Sequence, residues 1–174
     1  MSQRERDFAD AFELYNDELF RHCALRLRDR ERAVEITQEC FLRAWGYIQK
    51  GQVIAEVRPF LYRTLRHLII DEYRRKKPLS LDAMAQENEV DVEDLLPHDD
   101  TNTLEAAVER HEGQKVLEAL TRLPEPYREA VTMRFVDGLS PQEIARIIDE
   151  SENVVSVRVH RGLKKLKVLL EEKK

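Results

Sequence analysis

Ser140-Pro141-Gln142-Glu143-Ile144-Ala145 opens one short helix, and Ser151 opens a second that carries Arg158, His160, Arg161, Lys164 and Lys165. Ser140 suits an N-cap, Pro141 fits the first helical position because its missing N–H would have no partner there, and Glu143 can reach back to complete a capping box. Ile144, Ala145 and Ile148 share one face, and Asp149-Glu150-Ser151 is polar enough to turn the chain into a fresh N-cap at Ser151. In the second helix Val155, Val159, Leu163, Leu166 and Leu170 recur at steps of three and four, a stripe expected to pack, while Arg158, Arg161 and Lys165 project elsewhere. A polar helix, a tight turn and a basic helix describe a helix-turn-helix suited to a DNA major groove. A plain helical hairpin with solvated charges shares the spacing, and the two caps are what weigh against it.

Working outward, helical periodicity dominates the chain and five glycines leave little punctuation for strands, so an all-α fold is expected. The spacing predicts helices over 7–27, 30–49 and 59–76. The first uses Phe8, Phe12, Tyr15, Leu19, Cys23 and Leu27; the second uses Val34, Phe41, Leu42, Trp45 and Ile48, and Lys50-Gly51-Gln52 ends it. Pro59 belongs in the first turn of the third, whose core face is Phe60, Leu61, Leu65, Leu68 and Ile69. Periodicity stops at Pro78 and resumes over 103–122 and 126–136. The division expected is two small helical domains, 1–78 and 104–174, joined by an acidic flexible linker over 79–103, the second domain ending in the helix-turn-helix.

Charge supports that division. The net charge of −5 argues against a nucleic-acid partner until it is resolved along the chain. Residues 58–77 hold seven bases against two acids, 158–174 again seven against two, and 87–112 one base against ten acids. Two basic blocks flank an acidic one, and that asymmetry bears on partners more than the total does. With 174 residues, 36% of them charged and 42% hydrophobic, the composition is that of a folded chain. There is no apolar run of about 18 residues and the start MSQRERDFAD is charged, so a cytoplasmic protein without membrane insertion is expected. Cys23 and Cys40 lack paired zinc-site spacing and read as buried helix residues. The five histidines, His22, His67, His98, His111 and His160, form no nucleophile or metal pattern with them, so neither enzyme chemistry nor a cofactor is expected.

The third helix leaves Tyr62, Arg63, Arg66, His67, Tyr73 and Arg74 off its core face. Aromatics interleaved with arginines suit single-stranded nucleic acid, since bases stack on rings or guanidinium planes while positive charge follows the backbone. An amphipathic core helix with a solvated basic face would look similar.

Several motifs in order carry a resemblance. They are Glu35-Ile36-Thr37-Gln38-Glu39-Cys40-Phe41-Leu42-Arg43-Ala44-Trp45, Pro59 to Arg63 with Ile70 to Arg75, Leu120 to Pro124 with Tyr127-Arg128, and Ser140 to Arg161. Together they resemble the extracytoplasmic-function class of bacterial RNA polymerase sigma factors, over nearly the whole chain outside the linker. The resemblance implies that Glu35, Gln38 and Glu39 grip the clamp helices of the polymerase β′ subunit. It implies that the 51–58 loop, with Tyr62, Arg63, Arg66, His67, Arg74 and Arg75, opens the minus-ten element. For the minus-thirty-five element it implies Ser151, Glu152, Asn153, Val154, Ser156, Val157, Arg158, His160, Arg161, Lys164 and Lys165. The second domain would dock on the β flap, and the acids of the linker would mimic the phosphates of a nascent transcript. Partners implied are core RNA polymerase, promoter DNA and, where one exists, an anti-sigma factor. His67 stands where the family usually has Asn, Asn153 where Gly is common and Val157 where Ser is common. No extra C-terminal domain of the kind some members carry is expected. A helix-turn-helix regulator acting without polymerase, and a sigma-like decoy that only sequesters an anti-sigma partner, keep the same fold. The clamp-like motif weighs against the first, and the retained basic residues weigh against the second.

Overall fold

A computed structural model describes residues 1–76 and 104–172, with side chains from residue 112 onward in the second stretch. Every element among the described residues is helical. The chain divides into two compact units, residues 1–89 and 90–174. The linker predicted at 79–103, Lys77 and most of the acidic block lie outside the described residues.

The first unit packs α1 (Gln3–Leu27), α2 (Arg30–Gln49) and α3 (Val57–Lys76) around one core. Helix α1 starts earlier than its apolar spacing predicted, because Ser2 and Glu5 form a capping box that recruits the charged first turn. The Glu5 N–H donates to Ser2 Oγ at 3.2 Å and the Ser2 N–H to Glu5 Oε2 at 2.5 Å. Arg28, at φ 56°, ends α1 in the left-handed region, and Asp29 caps α2 by accepting from the Arg32 N–H at 3.0 Å. After α2 the chain turns at Gly51, φ 81°, a conformation that costs glycine little. Helix α3 begins two residues before Pro59, which still lies in its first turn.

Leu19, Cys23, Ile36, Cys40, Leu61, Leu65 and Ile69 fill the core. Phe8 packs at a tilt against Trp45 at 5.0 Å between ring centroids, and Phe12 meets Phe41 at 4.8 Å. Both ends of α3 are fixed. Arg58 forks onto Glu18 at 2.8 and 3.3 Å, and the Tyr73 hydroxyl donates to the Arg26 carbonyl at 2.5 Å. Burial pushes the Cys23 and Cys40 thiols up to about 12, so both behave as inert packing groups.

Two readings of this unit are corrected. Val34 and Leu42 were expected in the core of α2 and are 38% and 68% exposed; the buried line is Ala33, Ile36, Thr37, Cys40, Phe41 and Ala44. At about 100° per residue Leu42 lies about 200° around the helix from Cys40, on the side opposite the buried line, and Val34 lies at its edge. Tyr62 was expected off the core face of α3 and is 1% exposed. Its ring meets His22 edge-on at 5.4 Å, and the Arg58 guanidinium lies 5.9 Å from its centroid.

The second unit comprises α4 (Leu104–Thr121), α5 (Glu125–Val131), α6 (Pro141–Ile148) and α7 (Glu152–Glu171). The helix predicted over 126–136 is α only to Val131 and then widens into a π turn, Thr132–Val136. There the Asp137 N–H reaches back five residues to the Thr132 carbonyl at 3.0 Å. The core cluster is Ala119, Leu120, Leu123, Val131 and Leu166. On α7 the packed stripe runs through Val155, Gly162 and Leu166, whereas Leu163, expected in it, is 39% exposed. Gly162 is required by close approach: a Cβ there would lie 2.5 Å from Val131 Cγ2.

Candidate nucleic-acid interface

The helix-turn-helix is built from local chemistry. The Glu143 N–H donates to Ser140 Oγ at 3.1 Å and the Ser140 N–H to Glu143 Oε2 at 2.8 Å, which closes the capping box ahead of Pro141. Ile144, Ala145, Ile147 and Ile148 are buried, so α6 is anchored on its inner face. Asp149, at φ 56°, reverses the chain, and the Val154 N–H donates to Ser151 Oγ at 3.2 Å to start α7.

That geometry sorts the residues assigned to α7. Ser151 spends its hydroxyl oxygen on the cap. Glu152, Asn153, Ser156, Val157 and His160 are exposed over the first turns, and Arg161, Lys164 and Lys165 are exposed beyond them. Val154 and Arg158 are half-buried at the edge. Arg158 Nη2 lies 3.5 Å from Glu150 Oε1, an ion pair across the turn, and Lys165 Nζ sits 5.6 Å from the centre of the Tyr127 ring. The exposed start of the helix presents a carboxylate, an amide, a hydroxyl and an imidazole, and the cations follow toward its C-terminal half.

In the first unit Arg63, His67 and Arg74 are exposed and fall within about 40° of one line along α3. Arg66 is half-buried beside them. Arg75 is exposed but bonded to Glu72 at 2.9 Å. Tyr62 is not with them, so a base could stack on it only if the core opened. Glu72 is buried and gathers Arg32 at 2.8 Å, Arg75 at 2.9 Å and Lys76 at 3.9 Å. The Arg32 hydrogen bond, opposed by burial, holds the Glu72 carboxyl below its usual range, and Glu72 in turn raises Arg32. The basic end of α3 is thus partly neutralised from within.

On α2, Glu35, Gln38 and Glu39 come together on the exposed face. Arg32 holds Glu35 at 2.6 Å, and Arg43 holds Glu39 at 2.8 Å. Leu42 joins this face, which sequence reading missed because apolar character was equated with burial. It lies one heptad from Glu35, and that spacing was the available signal. Among the described residues no cluster of His, Cys, Asp and Glu could hold a metal ion, and no helix is long and apolar enough to cross a membrane.

Comparison with known proteins bears on the two helical units. The model of sigma-70 region 2 matches residues 11–78, and that of sigma-70 region 4 matches residues 113–166. The chain is 29% identical over 173 residues to the extracytoplasmic-function (ECF) RNA polymerase sigma factor SigW of Bacillus subtilis strain 168, covering 95% of this chain and 89% of that one. It is 26% identical to the ECF sigma factor SigM of the same strain, covering 92% and 93%. Among solved structures it resembles the sigma factor RpoE in complex with the anti-sigma factor NepR from Bartonella quintana. The TM-score is 0.74 at 19% identity, covering 97% of this chain and 99% of that one. It also resembles CnrH in complex with the cytosolic domain of CnrY, with a TM-score of 0.69 at 19% identity, covering 98% and 91%. The chain belongs to the sigma-70 family of RNA polymerase sigma factors, in its extracytoplasmic-function class.

Proposed function

We propose that this chain binds core RNA polymerase and directs promoter-specific initiation in the cytoplasm, without catalytic activity of its own. The single observation that carries the reading is the presence in one chain of three exposed surfaces of different chemistry, within units matching sigma-70 regions 2 and 4. The α2 face with Glu35, Gln38, Glu39 and the bare Leu42 suits a protein partner, because an exposed leucine among charges is an apolar anchor inside a polar rim. Its partner would be the β′ clamp helices, with the second unit on the β flap. The Arg63–His67–Arg74 line of α3 supplies charge for a backbone and one flat ring for an unstacked base. The start of α7 would read the minus-thirty-five element, Asn153 suiting an adenine and Glu152 a cytosine. The solved relatives bound to anti-sigma partners make an anti-sigma factor part of the proposal here.

Strand opening tests the division of labour. Holoenzyme carrying His67→Ala should still form the closed complex but expose fewer unpaired thymines to permanganate near minus ten. Equal loss of both steps would contradict the stacking role.

A further inference from the structure

Beside the exposed face of α7 lies a cleft of about 360 Å³. One wall is the start of α5, with Pro124, Pro126 and Tyr127; the other is α7, with Val154, Val157 and Arg161. Most of that lining is carbon. Cations border it: Arg161 is exposed and enters no ion pair among the described residues, Arg158 is steered by Glu150, and Lys165 sits against the Tyr127 ring. Two acids flanking the walls are engaged, Glu125 with Arg128 at 3.6 Å and Glu150 with Arg158. An apolar floor under a cationic rim fits a ligand that joins a hydrophobic ring to an anion.

We infer that this cleft seats one sugar–phosphate strand of the duplex whose major groove α7 enters, with deoxyribose against Tyr127 and Pro126 and a phosphate on Arg161. The inference rests on the proposed reading of α7 as the minus-thirty-five helix. A lone inorganic anion would gain nothing from the apolar walls. The cleft also continues directly from the α7 face that carries Asn153 and Val157, so a strand bordering the groove would pass over it. Contacts to phosphate and sugar fix register without carrying sequence, which makes Tyr127 a positioning residue rather than a base reader. Lys165, held over the ring, keeps the wall upright and adds charge beside the phosphate path.

The test uses holoenzyme assembled from core polymerase and the full chain, on a duplex bearing the minus-thirty-five sequence that the wild type selects from a randomised pool. Pro126 is exposed in the first turn of α5, where an acidic residue is well tolerated, so Pro126→Glu should fold and place a carboxylate against the strand. We expect it to weaken binding about tenfold at low salt and to flatten the log–log salt dependence by about 0.9. Tyr127→Ala should weaken binding to all selected sequences alike, with the salt slope unchanged, because a sugar contact releases no counterion. Pro126→Glu binding indistinguishable from wild type, or a defect in assembly with core polymerase instead of in DNA binding, would overturn the inference. Failure of the underlying reading looks different: the wild type would then select no minus-thirty-five sequence, or would select one whose profile Asn153→Ala leaves unchanged.

Discussion

At the scale of single residues, Glu72 shows how the first unit manages charge. Its carboxylate is buried, accepts from Arg32 and Arg75, and is held below its usual range by the Arg32 hydrogen bond. A carboxylate depressed in the folded state contributes stability that is fully present above the unfolded value of about 4.3 and is lost as pH falls through the folded value. Glu72→Gln should therefore cost about 1–3 kcal/mol at neutral pH, discounted because Arg32 is partly solvated. In urea unfolding across pH, the gap from wild type should narrow below about pH 4.3, and a gap independent of pH would remove the ion pair as its cause. Tyr62 makes the opposite point. An aromatic between basic residues reads as a stacking platform, yet it lies one heptad from Ile69 and so on the core side of α3. Its chemistry was legible in the sequence; its direction was legible only through helical geometry.

Among the elements, those whose boundaries depend on local chemistry were the readable ones. Helix α2 runs over Arg30–Gln49 as its spacing predicted, and α6 and α7 begin at Ser140 and Ser151 because those hydroxyls cap them. The π turn after α5 was not legible, since an i−5 hydrogen bond leaves no mark that distinguishes it from an α-helix in apolar spacing. The packed stripe of α7 was legible at Val155 and Leu166 but not at its centre, which is a glycine without hydrophobic signal. Gly162→Ala places a methyl against Val131 and Tyr127, both in the interface of α5 with α7. It should destabilise the chain by about 1–2 kcal/mol net, overpacking outweighing the gain of about 1 kcal/mol in helix propensity. Gly113→Ala, on α4 with nothing within 4 Å of the new methyl, should stabilise by about 0.5–1 kcal/mol. Opposite signs in chemical unfolding check the pair; two stabilising outcomes would show that α7 can move away from α5.

For the whole molecule, a net charge of −5 is compatible with DNA because the basic residues are segregated into two blocks, one in each unit. The surfaces proposed for DNA and polymerase are made of residues that the family resemblance implied, apart from Tyr62, which the core takes, and Leu42, which the surface gains. The two have different causes: Tyr62 follows helical geometry, whereas for Leu42 hydrophobic character, which marks burial in a monomer, also suits a face that another protein can cover. The central claim is that this chain gives core polymerase its choice of start site. Transcription by purified core enzyme from a library of genomic fragments, with and without the full-length chain, measures it directly. The account predicts discrete transcripts that appear only with the chain and share upstream minus-thirty-five and minus-ten elements. A folded chain that yields no specific transcript from any fragment would contradict it.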